Sequence, residues 1–284
     1  MTARPTAAWD PGHYLAYADE RARPFLDLLG RIDPARQDPV LEGPVLDGAG
    51  PTRVVDLGCG PGTLTVLLAR RWPGAEVLGV DDSEAMITAC ATLDDADRLR
   101  FECADLRAHL AAVAAGERPR AGVVVSNATL QWLPDHLALL PALVDAVVPG
   151  GWLGFQVPGN FGEPSHVLRA ELAADPAYAS HLAGVAVPAS HEPAVYLEAL
   201  VAAGLGEVDV WETTYLHRLH GADAVFDWVS STGARPTLAA LPPGLREEFE
   251  AEYRARLRAA YPASGPDAVV VLPFRRIFAV GRRA

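Results

Sequence analysis

The stretch that most constrains the fold is VVDLGCGPGTLTVLLARRW, from Val54 to Trp72. An apolar run is followed by Gly58, Gly60 and Gly62, and then by a segment with helical spacing. A short apolar strand joined to a helix by a glycine-rich turn is typical of a parallel α/β sheet covered by helices on both faces. The simplest interpretation of the glycines is a tight turn without a ligand, so the neighbouring segments decide whether a ligand is needed.

The segments after this turn continue the alternation of strand and helix. The predicted strands are RVVDLG, AEVLGVD, RLRFECADL, AGVVVSNA, GWLGFQVPG, GEVDVWETTYLHRL and AVVVLPFRRIFAVGRR. Helices are predicted over residues 61–72, 83–92 and 135–148, with Pro61 near the start of the first and Ser83 capping the second. The sequence therefore predicts an α/β fold with a doubly wound, Rossmann-like, seven-stranded sheet.

The order of the segments predicts three parts. Residues 1–50 form an N-terminal helical segment and a loop, and residues 51–160 form the ligand-binding core. Residues 161–284 complete the sheet and carry a helical insertion before the last strand, over about residues 222–262. The N-terminal segment and the insertion are both able to fold over the ligand-binding edge, as a lid and a substrate cap.

Composition excludes several classes of function. The chain has 284 residues and a net charge of −12, and it has no run of Lys or Arg, which argues against nucleic acid as a partner. Its start lacks the layout of a signal peptide, and the apolar stretch from Leu137 to Val157 is interrupted by prolines and glycines. Cys59, Cys90 and Cys103 have no metal-binding spacing. We therefore expect a cytoplasmic protein with reduced thiols, no metal site and no membrane partner, with a monomer as the favoured state.

The spacing of the glycines and the acids that end the next strands indicate a particular ligand. Thr63 occupies the position where a dinucleotide-binding loop has its third glycine, so a pyrophosphate is disfavoured. Asp81 ends the second strand, where a carboxylate accepts hydrogen bonds from ribose hydroxyls. Asp105 ends the third strand, where it can accept from an adenine amino group with Leu106 packing nearby. A nucleoside without pyrophosphate, held by acids, is what an S-adenosylmethionine site requires.

These motifs resemble those of the class I methyltransferases. VVDLGCGPG matches their glycine motif, GVD their ribose acid, and VPGGWL from Val148 to Leu153 the turn before their fifth strand. The resemblance implies that S-adenosylmethionine is the cofactor. It also implies that Asp56, Gly58 and Gly60 flank the amino-acid end of that cofactor, and that Asp81 holds its ribose.

Segments beside these motifs resemble the trans-aconitate 2-methyltransferase family. They are WDPGHYLAYADERARPFLDLLGRI, SNATLQWLPDH, PSHVLRAEL, VWETTYLHRL, DWVSSTGARP and LPFRRIFAVGRR, and together they span nearly the whole chain. The resemblance implies transfer of a methyl group to one carboxylate of trans-aconitate, a small anionic acid. The products are a monomethyl ester and S-adenosylhomocysteine.

The substrate side of this chemistry needs positioning and positive charge rather than a general base, because a carboxylate is already ionised at neutral pH. Arginines bind carboxylates with two parallel hydrogen bonds, and Arg235 and Arg276 are the candidates. The alternative for each is a surface residue or a structural ion pair. Further lining candidates are Tyr196, Tyr215, His217 and Trp228, of which His217 is equally interpretable as a core histidine.

Three residues follow the fourth strand, where the methyl-transfer site lies in this fold. We expect Asn127 to contact the cofactor, and Gln131 and Trp132 to contact the substrate, with ordinary packing beside Leu133 as the alternative for Trp132. Tyr14 and Trp9 are expected to close over the cofactor and exclude water. Two other functions stay open at this point: a methyltransferase acting on another small metabolite, and a protein that binds S-adenosylmethionine without catalysis.

Overall fold

The computed structural model describes residues 18–32, 50–91, 93 and 98–284. The predicted lid residues Trp9 and Tyr14 lie outside these ranges. In the described ranges the strands are β1 Arg53–Leu57, β2 Glu76–Asp81, β3 Leu99–Cys103, β4 Ala121–Asn127, β5 Val147–Pro158, β6 Leu205–His220 and β7 Val269–Arg283. The helices there are α1 Ala18–Arg31, α2 Thr65–Arg71, α3 Glu84–Cys90, α4 Leu106–Ala114, α5 His136–Asp145, α6 Pro164–Ala173, α7 Pro176–Leu182, α8 Pro193–Ala202, α9 Ala224–Ser230, α10 Arg235–Ala240 and α11 Pro243–Ala260.

The strands form one seven-stranded sheet in the order β3-β2-β1-β4-β5-β7-β6. β1 pairs in parallel with β2 on one side and with β4 on the other. The pair of β2 and β3 and the pair of β4 and β5 are also parallel. The chain thus builds outwards from β1 in one direction and then returns to the other side at β4. Open α/β sheets bind ligands at this reversal, beside the carboxyl ends of the strands. The predicted α/β class and seven-stranded sheet are confirmed.

The helix that follows the glycines starts later than the sequence predicted. We expected it to begin near Pro61, whereas α2 begins at Thr65. Gly62 has a φ of +76°, a left-handed conformation that cannot belong to a right-handed helix, so the chain first completes a turn. The predicted cap of the next helix is confirmed, because Ser83 Oγ accepts a hydrogen bond from Met86 N at 3.4 Å.

The chain divides into two compact units. The sheet unit comprises residues 18–157, 191–212 and 277–284, and the helical unit includes residues 158–190 and 213–276. Strands β1 to β4 belong to the sheet unit, whereas α6, α7, α9, α10 and α11 belong to the helical unit. Among these helices, α6 and α7 were not predicted from the sequence.

Each unit has its own hydrophobic core. In the sheet unit, Val55, Val124 and Leu153 from three neighbouring strands are at most 3% exposed and belong to one apolar cluster. In the helical unit, Trp228 and Phe249 are at most 1% exposed and belong to a second cluster.

Candidate active site

The loop after β1 has a left-handed backbone at its three glycines, with φ of +82° at Gly58, +56° at Gly60 and +76° at Gly62. A Cβ added to Gly58 would lie 2.1 Å from Thr129 Oγ1, so this position needs glycine for packing as well as for conformation. A Cβ added to Gly60 would meet no described atom within 4 Å. The loop is therefore packed tightly at Gly58 and bordered by open space at Gly60.

Asp81 connects this loop to the end of β2. Its Oδ2 accepts a hydrogen bond from Gly60 N at 2.9 Å, and its Oδ1 accepts one from Ser83 N at 3.0 Å. Burial raises the pKa of Asp81 above its ordinary value, and the two backbone hydrogen bonds act in the opposite direction. Each carboxylate oxygen has a further lone pair, so the group is still able to accept from ribose hydroxyls.

Asp56 is a buried carboxyl group at the end of β1, only 2% exposed. It accepts a hydrogen bond from Thr65 Oγ1 at 2.7 Å. Burial raises the pKa of Asp56 to about 7, and no positively charged side chain of the described chain is among the groups that shift it. An ammonium group of a ligand would compensate this charge and favour its ionised form.

The end of β4 carries two buried acceptors that lack a hydrogen-bond partner among the described atoms, Asn127 Oδ1 and Gln131 Oε1. Gln131 Nε2 donates to Ala128 O at 2.5 Å, and Ala128 has a φ of +54°. A non-glycine residue in this conformation is uncommon and occurs preferentially at functional sites. Trp132 ends the short 3-10 helix Leu130–Trp132 and is half-buried. Orphaned acceptors beside the reversal of the sheet suit a ligand that brings hydrogen-bond donors.

Asp105 and Leu106 have clear structural roles at the start of α4. Asp105 Oδ1 accepts a hydrogen bond from Ala108 N at 3.0 Å and so caps the helix. Leu106 is 8% exposed and belongs to the core of the sheet unit. The contact of both residues with an adenine ring stays a prediction.

The structure places Tyr196 inside the sheet unit, which differs from its expected position in a pocket wall. Its side chain is fully buried, and its ring packs edge-on against Phe155 with 5.4 Å between centroids. Its hydroxyl contacts His136 Nε2 at 2.9 Å and accepts a hydrogen bond from His191 N at 3.1 Å. Because the hydroxyl is already bonded within the core, we leave Tyr196 out of the substrate site.

The other candidate lining residues come together in the helical unit. His217 stacks on Trp228 with 4.6 Å between ring centroids, and the ring of Tyr215 lies 6.4 Å from His217 on the same face of β6. Phe274 lies 6.0 Å from His217, and the guanidinium carbon of Arg276 lies 4.3 Å above the Phe274 ring. His217 is thus packed among aromatic rings, as its alternative interpretation as a core histidine requires. Contact of these residues with substrate stays a prediction.

Arg235 is the first residue of α10 and is half-buried. Burial lowers the pKa of its guanidinium group from the ordinary value, although the group stays charged at neutral pH. The same helix carries Thr237, whose side chain is buried. The start of α10 is therefore a partly enclosed, positively charged position.

A second polar stretch, from Asn160 to Arg169, was missed by the sequence analysis. Four buried atoms in it have no hydrogen-bond partner in the described chain: Asn160 Oδ1, Ser165 Oγ, His166 Nδ1 and Arg169 Nε. The helical spacing of Ser165, His166 and Arg169 is visible in PSHVLRAEL. A polar helix face usually points to solvent, so the sequence contained the pattern but not its burial.

Two features are absent from the parts of the chain that the structure covers. No helix there is both long and apolar enough to cross a membrane. No group of three or more His, Cys, Asp and Glu side chains is arranged there to hold a metal ion. The described cysteines Cys59, Cys90 and Cys103 are free thiols.

Comparison with known proteins identifies the family. The family model described as a methyltransferase domain matches residues 55–153. A trans-aconitate 2-methyltransferase of Streptomyces avermitilis is 47% identical over 97% of this chain and 97% of its own length. One of Streptomyces coelicolor is 46% identical over 97% of this chain and 86% of its own length.

Among solved structures, the YcgJ protein from Bacillus subtilis superposes with a TM-score of 0.50 at 11% identity. The match covers 83% of this chain and 93% of that chain, and at this identity it supports the fold alone. The sequence identity with these relatives shows the family, which the structural match alone does not. The family model covers the strands from β1 to β5. This chain is a methyltransferase and belongs to the trans-aconitate 2-methyltransferase family.

Proposed function

We propose that this protein transfers the methyl group of S-adenosylmethionine to one carboxylate of trans-aconitate, giving a monomethyl ester and S-adenosylhomocysteine. The observation that carries the proposal is the 47% identity, over 97% of both chains, with a relative that is named for this reaction. Neither a metal ion nor a general base is part of the proposal. The net charge of −12 keeps nucleic acid outside the proposed partners, and a cytoplasmic monomer stays our expectation.

The residues at the reversal of the sheet fit the cofactor. Asp56 offers a buried carboxylate to the ammonium group of its amino-acid end, and Asp81 offers two oxygens to its ribose. The open space beside Gly60 lets the cofactor approach the backbone closely. Asn127 Oδ1 supplies an acceptor that still lacks a donor among the described atoms. When bound, S-adenosylmethionine supplies a methyl group on a positively charged sulfur atom.

The proposed role of the protein in the chemical step is positioning. A carboxylate with an ordinary pKa near 4 is ionised at neutral pH, so its oxygen can attack carbon without losing a proton first. Holding that oxygen about 3 to 3.5 Å from the methyl carbon and in line with the breaking bond can contribute roughly 7–11 kcal/mol. Gln131 and Trp132, beside the carboxyl end of β4, are the proposed positioning contacts.

Positive side chains have a restricted use in such a reaction. The attacking carboxylate loses negative charge as its new bond forms, so an arginine bound directly to it would stabilise the ground state more than the transition state. Arginines therefore serve better on the carboxylates that do not react. We assign this role to Arg235 and Arg276, with Tyr215, His217 and Trp228 as the apolar and aromatic wall.

A methyl-transfer assay tests the proposal. The purified protein is incubated with methyl-labelled S-adenosylmethionine and with trans-aconitate, cis-aconitate, citrate or isocitrate in parallel. We expect the highest kcat/KM with trans-aconitate, and equimolar monomethyl ester and S-adenosylhomocysteine by mass spectrometry. Tight binding of S-adenosylmethionine without transfer to any of the four acids would contradict carboxyl methylation and favour another acceptor or a non-catalytic role.

A further inference from the structure

Arg169 on α6 is a charged side chain in an unusual environment. It is 4% exposed, although arginine is rarely buried to this degree without a paired anion. Its Nη1 donates to Thr237 Oγ1 at 2.9 Å. Among the described residues, its Nε has no hydrogen-bond partner and no carboxylate forms an ion pair with it. The helical unit thus holds a guanidinium group whose charge is uncompensated by the residues described around it.

The neighbours of Arg169 supply polar atoms rather than counter-charge. His166, one turn earlier on α6, has a buried Nδ1 without a partner in the described chain. Burial, together with the charge of Arg169, lowers the pKa of His166 to about 4, so this histidine is neutral at pH 7. Ser165 Oγ is also buried and lacks a described partner. Donors and a neutral ring therefore surround a single buried positive charge.

The turn before α10 and α10 itself contact the face of α6 that carries His166 and Arg169. A Cβ added to Gly233 would lie 2.9 Å from His166 Cε1, so the backbone approaches the histidine ring closely. Arg235 and Thr237 follow on α10, and Thr237 is bonded to Arg169. Two elements far apart in sequence are thus joined around Arg169 within one unit.

We propose that Arg169, held by Thr237, is a carboxylate-binding residue for the substrate and contacts a carboxylate that is not methylated. The proposal rests on the proposed function. It adds Arg169 to the substrate site and a preference for acids with more than one carboxylate. The edge of the guanidinium that carries Nε is not used by Thr237, and this edge presents two parallel donors to a carboxylate. A buried fork of this kind selects acids that carry at least one carboxylate besides the reacting one.

Direct binding tests this assignment without relying on turnover. Dissociation constants are measured by calorimetry, with S-adenosylhomocysteine present, for trans-aconitate and for itaconate, mesaconate and cis-glutaconate. Each of these three dicarboxylates lacks a different carboxylate of trans-aconitate. The proteins are the wild type, Arg169→Gln, Arg169→Lys and the control Arg256→Gln, whose arginine pairs with Glu252 on the surface of α11.

We expect Arg169→Gln to weaken trans-aconitate binding at least about tenfold, equivalent to about 1.4 kcal/mol, and Arg256→Gln to leave it unchanged. Arg169→Lys should be intermediate, because it keeps the charge and loses the fork. One of the three dicarboxylates, the one that lacks the carboxylate bound by Arg169, should bind the wild type and Arg169→Gln equally well. The same loss for all four acids, or no loss for any, would overturn the assignment.

A stability measurement covers the case in which a variant folds poorly. Because an uncompensated buried charge is costly, Arg169→Met should raise the Tm of the ligand-free protein, and the same concentration of trans-aconitate should raise the Tm of the wild type more than that of the variant. A lower Tm in the ligand-free variant would indicate a structural role and overturn the assignment.

Failure of this assignment and failure of the proposed function are distinguishable. If the wild type binds trans-aconitate through Arg169 but transfers no methyl group, only the proposed function fails. If methyl transfer is normal in Arg169→Gln, only the role of Arg169 fails.

Discussion

At the scale of the residue, each unit contains a buried ionisable side chain. The one in the sheet unit is an acid, and the one in the helical unit is a base. Asp56 is 2% exposed and Arg169 is 4% exposed, and no ion pair within the described chain compensates either one. Such groups lower the stability of the free protein, and perturbed groups of this kind cluster at sites that bind charged ligands. We interpret both as positions whose electrostatic cost is offset when the ligands are bound.

The first prediction concerns the pH dependence caused by Asp56. Its pKa is about 7 in the folded protein and 3.8 ordinarily, so the folded state binds more protons between these values. The contribution of this group to stability is complete below pH 3.8 and is lost as pH rises through about 7. The Asp56→Asn variant has no group that titrates at this position, so it does not lose this stability as pH rises. The free energy of unfolding of Asp56→Asn, relative to the wild type, should rise with pH by at most about 1.4 kcal/mol per unit and level off above pH 7.

Urea unfolding of both proteins without ligand, from pH 5 to pH 8, measures this difference. The same variant should bind S-adenosylmethionine more weakly at pH 8, because an amide does not compensate the ammonium group of the cofactor. Parallel stability profiles for wild type and variant would show that burial does not shift the pKa of Asp56.

At the scale of the element, the connection between β1 and α2 combines two different uses of glycine. Gly58 is required by the side chain of Thr129, whereas Gly60 has a left-handed backbone beside open space. Asp81 holds the amide of Gly60 from the end of β2 and so sets the orientation of the loop. The loop is therefore shaped by its neighbours before any ligand binds, and the space at Gly60 is where a ligand approaches the backbone.

The second prediction compares Gly60→Ala with Gly116→Ala. Both glycines have positive φ, +56° and +76°, and a Cβ at either would meet no described atom within 4 Å. Each substitution should therefore lower the free energy of unfolding by a similar amount, about 1–2 kcal/mol. Only Gly60→Ala should also weaken S-adenosylmethionine binding, by at least about tenfold, because its methyl group enters the ligand space. Urea unfolding and calorimetric titration measure the two effects, and equal affinities in both variants would remove Gly60 from the cofactor site.

At the scale of the whole molecule, the two units have separate cores and separate candidate contacts. The residues proposed for the cofactor, from Asp56 to Asn127, belong to the sheet unit. Arg169, Arg235 and Arg276, proposed for the carboxylates that do not react, belong to the helical unit. Binding of the cofactor should therefore change the sheet unit, and binding of the acid should also change the helical unit.

The third prediction applies hydrogen exchange to this division. S-adenosylhomocysteine alone should slow exchange in the loop after β1 and at the end of β2, where backbone amides surround the proposed cofactor position. Trans-aconitate, added with S-adenosylhomocysteine, should slow exchange in α6 and at the start of α10. The exposed part of α11 serves as the internal control. Protection of the sheet unit alone by trans-aconitate would contradict the placement of the acid in the helical unit.

Much of the fold follows from local patterns. The apolar runs of β1 to β5 and the end of β2 at Asp81 were recognisable because buried parallel strands are continuous in sequence. Asp105 does not end β3 as predicted: the strand stops at Cys103, and Asp105 caps α4. The predicted start of α2 was wrong because the left-handed conformation of Gly62 is a property of the folded turn. Helices α6 and α7 were missed, since their alternation of polar and apolar residues is weak without knowledge of what they pack against.

The site divides in the same way. By itself the sequence determined the succession of seven strands along the chain, the glycine loop, the acids near the strand ends and, through full-length resemblance, the family. Only the tertiary structure decided that the hydroxyl of Tyr196 is bonded inside a core and that Arg169 is buried against Thr237, a partner 68 residues away. Burial and hydrogen bonding depend on segments that are distant in the chain, and no local pattern records the free energy of desolvating a charge or of leaving a polar atom unpaired.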